Sequence, residues 1–168
     1  MRARHRVRFA VNLANGSTLA GVGVALAGRA RLAQASRGGL LTAVGYRLPV
    51  PGAPAFTLGN VILTRLDSLP PDGALFRHEA RHATQYAWCG GLLMLPLYFT
   101  AAGASWVLCG DFGAWNVFER LAGLADGGYA RKPLRRLTGT RPPAAGPGDR
   151  DPGPGAAGLA GSTATPSR

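Results

Sequence analysis

The stretch Phe76-Arg77-His78-Glu79-Ala80-Arg81-His82-Ala83-Thr84-Gln85-Tyr86 carries the spacing HExxH. Pro70-Pro71-Asp72 before it and Gly90-Gly91 after it bound a single helix that runs to about Trp88. Residues four apart on a helix lie one turn above each other on the same face. His78 and His82 can therefore share one metal ion, and Glu79, one step round, can reach a water on that ion. Two neutral imidazoles, an open position for water and a carboxylate that takes its proton are what a zinc hydrolase needs. Gln85, three residues past His82, is placed to orient a ligand or a substrate. Arg77 and Arg81 share one face, a solvated edge in the plain reading. Arg81 is also a candidate for stabilising an oxyanion.

Composition makes the motif more specific. The chain has three histidines and two glutamates, and two of those histidines and one glutamate fall inside it. The other glutamate, Glu119, becomes the candidate third ligand, since His2Glu is an established catalytic zinc set. Val117, Phe118, Leu121, Leu124 and Ala125 recur at helical spacing, and Gly127-Gly128 supplies a stop. On that reading Glu119 sits mid-helix. Asp126 lies about two turns further along the same helix, as a partner for a ligand histidine or a rival third ligand. Glu119 is preferred because a mid-helix side chain is better fixed.

The strings His78-Glu79-Ala80-Arg81-His82-Ala83-Thr84-Gln85 and Asn116-Val117-Phe118-Glu119-Arg120-Leu121-Ala122 together resemble the HExxHxxQ and NxxExxA pair of zincin-type metallopeptidases with a glutamate third ligand. The chain is similar in particular to the uncharacterised HExxH domains of proteins linked to bacterial contractile injection systems. The resemblance covers about residues 55–130. It implies one Zn2+ held by His78, His82 and Glu119, with Glu79 as general base. Gly123 stands where many of these enzymes place a carboxylate one turn after the third ligand.

Nineteen basic residues stand against eight acidic ones, and eighteen of the nineteen are arginine. Residues 9–129 are nearly balanced in charge, and the excess lies in the two ends. A high arginine content alongside abundant Ala, Gly and Pro is a compositional habit more than a nucleic-acid signature, and no nucleic-acid-binding module accompanies it. Cys89 and Cys109 have no histidine at a recognisable spacing and read as small apolar residues, not as ligands or a disulfide framework.

Residues 1–35 open with Arg2, Arg4, Arg6 and Arg8, then run uncharged over 9–28. This outlines a signal peptide ending at Ala33-Gln34-Ala35. Asn12, Asn15, Ser17 and Thr18 interrupt the apolar run, and Arg29 and Arg31 follow it. A helix packed on the domain, capped by Ser17 or Asn15, is the preferred reading, with cytoplasmic location expected and secretion disfavoured. Residues 39–48 and 56–64 read as strands. Gly59-Asn60 could turn the second into a hairpin, but one continuous strand bordering a substrate groove is preferred, because an extended peptide can add to such an edge. Residues 83–110 carry no charge. Their length leaves membrane contact open as an alternative. A shared metal site instead requires a buried helix, or a helical hairpin broken at Pro96. From about Thr138 the chain is Pro, Gly, Ala and Ser with few large apolar residues and is expected to be disordered.

The expectation is a small α+β, zincin-like domain over 36–130, preceded by a basic N-terminus with an apolar helix (1–35) and followed by a basic tail (131–168). Its function would be zinc-dependent hydrolysis of a peptide or protein substrate, with Tyr129 or Arg81 as oxyanion donor. The competing readings are a non-catalytic zinc-binding or interaction module and a small membrane-associated protein.

Overall fold

Helix α1 (Ala3–Ala14) and helix α2 (Ser17–Ala27) open the chain in the computed structural model, which describes residues 2–36 and 38–135. The uncharged run over 9–28 is therefore two helices, bent by 72° at Asn15-Gly16. The Asn15 side-chain oxygen makes the break: it accepts from the Ser17 N–H at 3.1 Å and the Ser17 hydroxyl at 2.7 Å. No single helix among the described residues is long and apolar enough to cross a membrane, and this bent pair passes that test only jointly.

Four strands follow, β1 (Arg31–Ser36), β2 (Leu40–Val44), β3 (Ala55–Leu58) and β4 (Val61–Thr64), in the sheet order β1-β2-β4-β3. β2 and β4 are parallel, and the outer pairs are antiparallel. With helices α3 (Ala74–Trp88), α4 (Met94–Cys109) and α5 (Val117–Ala122) the fold is α+β around a small mixed sheet. β4 is buried along its whole length. Successive strand residues point to opposite faces, and β4 uses both. Val61 and Leu63 pack with Ala25, Ala43, Leu58 and Tyr86, while Ile62 packs with Leu40, Phe76 and Ala83. Helix α3, which carries HExxH, thus seats Phe76 and Ala83 directly against the sheet.

The structure corrects three expectations. Residues 56–64 are a hairpin, not one strand. Gly59 adopts φ +60 while Asn60 stays at negative φ, the pattern of a two-residue type II′ turn. Asn60 is fully buried there, donating to the Phe9 carbonyl and the Thr18 hydroxyl and accepting from Asn12. Polar partners 42 to 51 residues away hold the turn, and no local pattern announces them. The second correction is β1, which lies in the stretch read as the end of the N-terminal segment. The third is α4, which is neither buried nor broken. Pro96 falls in its first turn, where a missing N–H leaves no bond unmade. Only Met94, Ala102 and Ser105 are fully buried, while Leu97, Phe99 and Val107 face outward. Cys89 and Cys109 are free and half-buried. The disorder expected from about Thr138 lies outside the described residues.

The C-terminus of α2 closes in a Schellman motif: the Ala30 N–H bonds the Ala25 carbonyl at 2.9 Å and the Arg29 N–H bonds the Leu26 carbonyl at 3.0 Å. The motif places Arg29 at φ +54, the one positive φ among the described non-glycine residues. A left-handed residue with a Cβ costs roughly 1–2 kcal/mol. Arg29→Gly is accordingly expected to raise the unfolding free energy by up to about 1 kcal/mol in urea denaturation.

Candidate metal centre

Helix α3 buries one face, so His78, Glu79 and His82 all fall inside the molecule, at 3%, 3% and 7% exposure. Across from them stands α5, with Glu119 at 2%. The α5 helix starts where the Asn116 side chain accepts from the Phe118 N–H at 3.0 Å. It stops at Gly123, whose φ of +88 leaves the helical region. Glu119 is thus on a helix of six residues, and Asp126 lies beyond its end, not two turns along it.

Three ligand-type groups converge. The two imidazole Nε2 atoms are 3.0 Å apart, and Glu119 places Oε2 at 3.0 Å from His78 Nε2 and Oε1 at 3.6 Å from His82 Nε2. The ligand atoms of His78, His82 and Glu119 all lie within 4.8 Å of one another, buried and placed to hold a metal ion.

Hydrogen bonds on the far side of each ring decide which nitrogens carry protons. His78 Nδ1 is 3.1 Å from the Gly123 carbonyl, which can only accept, so Nδ1 is the protonated nitrogen. His82 Nδ1 is 2.8 Å from Gln85 Oε1. The Gln85 amide cannot be turned over, because its Nε2 donates at 2.9 Å to the Phe118 carbonyl. His82 is therefore protonated on Nδ1 as well. Both Nε2 lone pairs then face each other and a carboxylate, three electron-rich groups with nothing positive between them. Glu119 Oε2 is buried and accepts no hydrogen bond. A divalent cation satisfies all three at once, so the donor set fits a metal.

The electrostatics agree. Burial disfavours a second proton on His78, but the hydrogen bond that such a proton would make to Glu119, the charges of Glu119 and Glu79 and the Gly123 carbonyl together outweigh this, and the net direction is up. Burial likewise pushes the Glu119 carboxyl up, and the hydrogen bonds it would accept from protonated His78 and His82, with the charge of His82 and the Tyr98 hydroxyl, more than reverse this, to about 2. In both cases the cluster favours positive charge beside the carboxylate. Tyr98 supplies a further donor, its hydroxyl reaching Glu119 Oε1 at 2.5 Å.

Glu79 projects from the same helix into a cleft of about 730 Å³ whose walls include β3, the 46–54 loop, the start of α4 and Tyr129. Burial raises its pKa. The Thr57 hydroxyl on β3 donates to Glu79 Oε2 at 2.7 Å. Tyr129 stands over His78, ring centroids 6.3 Å apart, and burial followed by the charge of Glu119 pushes its phenol up.

The sequence candidates divide. His78, Glu79, His82, Glu119 and Tyr129 meet at the cleft, and Gln85 holds His82 from behind. Arg81 and Asp126 fall to one side. Arg81 Nη1 bonds Asp126 Oδ2 at 2.7 Å and the Ala122 carbonyl at 2.6 Å, and Arg77 also reaches Asp126 at 3.4 Å. The hydrogen bond from Arg81 holds the Asp126 carboxyl below its usual range. Neither residue lines the cleft. The place that Gly123 was expected to leave without a carboxylate is filled by its own backbone oxygen on His78. Thr57 and Tyr98 were missed. Tyr98 had one available signal, the only tyrosine hydroxyl in the mostly apolar, uncharged stretch 92–109, and Thr57 had none.

Compared with family models, curated proteins and solved structures, the chain matches none.

Removing the group that fixes a ligand imidazole weakens metal binding roughly 10–100-fold. Gln85→Ala is expected to do so in a chelator-competition titration, with the fold retained by circular dichroism. Protons compete with metal for the imidazoles, and with the His78 pKa raised that competition begins at higher pH. Apparent affinity should therefore fall as the pH drops from roughly 8 to roughly 6.

Proposed function

We propose that this chain is a zinc-dependent hydrolase of the peptidase type, with His78, His82 and Glu119 holding the ion and Glu79 as general base. One observation carries the reading: the Nδ1-bonded tautomers of both histidines turn their Nε2 lone pairs on the carboxylate of Glu119, while Glu79 enters the adjoining cleft from the same helix. The resemblance of the same residues to the HExxHxxQ and NxxExxA pair of zincin-type metallopeptidases is in keeping with it.

When bound, zinc would supply a Lewis acid able to acidify a water and polarise a carbonyl. The protein groups do the rest. The Thr57 hydroxyl occupies Glu79 Oε2, which leaves Oε1 to accept the water's proton and later deliver it to the departing amine. Burial, which raises the proton affinity of Glu79, suits a base working near neutral pH. Tyr129 is the candidate donor to the carbonyl oxygen where negative charge develops. β3 is an edge strand that lines the cleft through Ala55, Phe56, Thr57 and Leu58. An extended peptide could add to that edge with its scissile bond beside Glu79.

Elemental analysis of the purified full chain should find about one zinc per molecule, the single ion of a catalytic His2Glu site. His78→Ala and Glu119→Ala should each lose it. Glu79→Gln should retain it and lower turnover of an apolar peptide substrate by roughly 10²–10⁴-fold, the usual contribution of a general base. Zinc held with no turnover by wild type across a peptide library would mark a non-catalytic metal-binding module. A wild-type chain that folds without binding zinc would refute the proposal.

A further inference from the structure

A second concavity, of about 400 Å³, opens at the end of the sheet where β1 begins and β2 and β4 finish. Arg29, Arg31, Arg47 and Arg65 all line it, with Asp67 as the one acidic residue among its lining. Three separate returns of the chain bring them together. The antiparallel register sets Arg31 opposite Val44. The Arg47 N–H bonds the Gly28 carbonyl at 3.0 Å, and the Tyr46 N–H bonds the Thr64 carbonyl at 2.9 Å. The backbone therefore fixes the spacing of the arginines.

Of the four, Arg65 is held in place by the carbonyls of Leu48 and Pro51 and lies over the Tyr46 ring. Arg29, Arg31 and Arg47 are exposed, and among the described residues none of them forms an ion pair. Four guanidinium groups around one hollow repel one another, and a single carboxylate leaves them three charges in excess. Arg29 adds a second observation, because it occupies the left-handed position of a Schellman motif where glycine would sit without strain. The chain keeps a long cationic side chain at a position whose backbone disfavours it, and that side chain lines the hollow.

We propose that this hollow binds a phosphate-bearing anion. Guanidinium forks pair two-to-two with phosphate oxygens, and a tetrahedral phosphate offers acceptors in several directions at once, as the three uncommitted arginines lining one hollow require. A carboxylate offers two coplanar acceptors and satisfies fewer of them. The site shares Tyr46 with the wall of the metal cleft but none of the metal-binding residues, so it stands or falls independently of the zinc chemistry.

The test is isothermal titration of the full-length chain with inorganic pyrophosphate, at low ionic strength and with no zinc added. Saturable binding at one site per chain is expected. Arg47→Ala and Arg29→Gly should each weaken it by roughly 10-fold or more, the usual loss of a charged hydrogen bond. Arg6→Ala, which removes an exposed arginine of α1 outside the hollow, should change it less than about twofold. Arg29→Gly is the decisive variant, since it should bind less while being no less stable. Phosphatidylcholine vesicles containing phosphatidic acid identify the source of the phosphate. Competition with pyrophosphate points to a lipid headgroup, and retention of pyrophosphate binding without vesicle binding points to a free phosphorylated compound; either upholds the site. Absence of saturable binding, equal weakening by Arg6→Ala, or an Arg29→Gly chain that is destabilised yet binds as before would overturn it.

Discussion

Two imidazole nitrogens 3.0 Å apart, both carrying lone pairs, cannot hydrogen-bond to each other. With the Glu119 carboxylate beside them they make a buried cluster that needs positive charge, and everything around the cleft is arranged to keep it that way. Gly123 and Gln85 fix the protons on the outer nitrogens, Phe118 fixes Gln85, and Tyr98 holds one oxygen of Glu119. Burying such a set without a cation would be strongly unfavourable. The arrangement is intelligible as a ligand set and hard to account for as a packing solution.

The helix bearing HExxH was legible because its signals are local: a proline pair ahead of it, a glycine pair behind it, and polar residues at i and i+4 between apolar ones. The observed span, Ala74–Trp88, ends where it was read. Glu119 was legible by elimination in a chain with two glutamates. What the sequence hid was set by distant partners. The Gly59-Asn60 turn is tied down by Phe9, Asn12 and Thr18, and the His78 proton by a backbone carbonyl whose residue has no side chain to notice. β1 was obscured by its polar residues at the sheet edge. The helical period expected to carry Asp126 onto α5 ran through Gly123, where the backbone leaves the helix and delivers Asp126 to Arg77 and Arg81 instead.

Charge is sorted by depth. Glu79 and Glu119 are buried at the centre, while Asp111 and Asp126 on the outside are ion-paired to Lys132, Arg77 and Arg81. The cleft wall from β3 and α4 is almost wholly apolar, so the carboxylates at its base act in surroundings that screen them poorly. Four arginines gather instead where β1 begins and β2 and β4 finish. A net charge of +11 is thus not a uniform coat, and one of its clusters is a hollow built by three returns of the chain.

The contact between Gln85 and Phe118 joins residues 33 positions apart, and that between His78 and Gly123 joins residues 45 apart. The segment between includes α4, which turns Leu97, Phe99 and Val107 outward while Met94 and Tyr98 tie its inner face to the core and to Glu119. An ion shared by α3 and α5 would act on this chain as a removable cross-link, the role a disulfide plays elsewhere. Closing a loop grows only slowly more expensive with its length. The excursion can therefore be long while its anchor points stay fixed, and the outward face of α4 is left free to answer to demands other than stability.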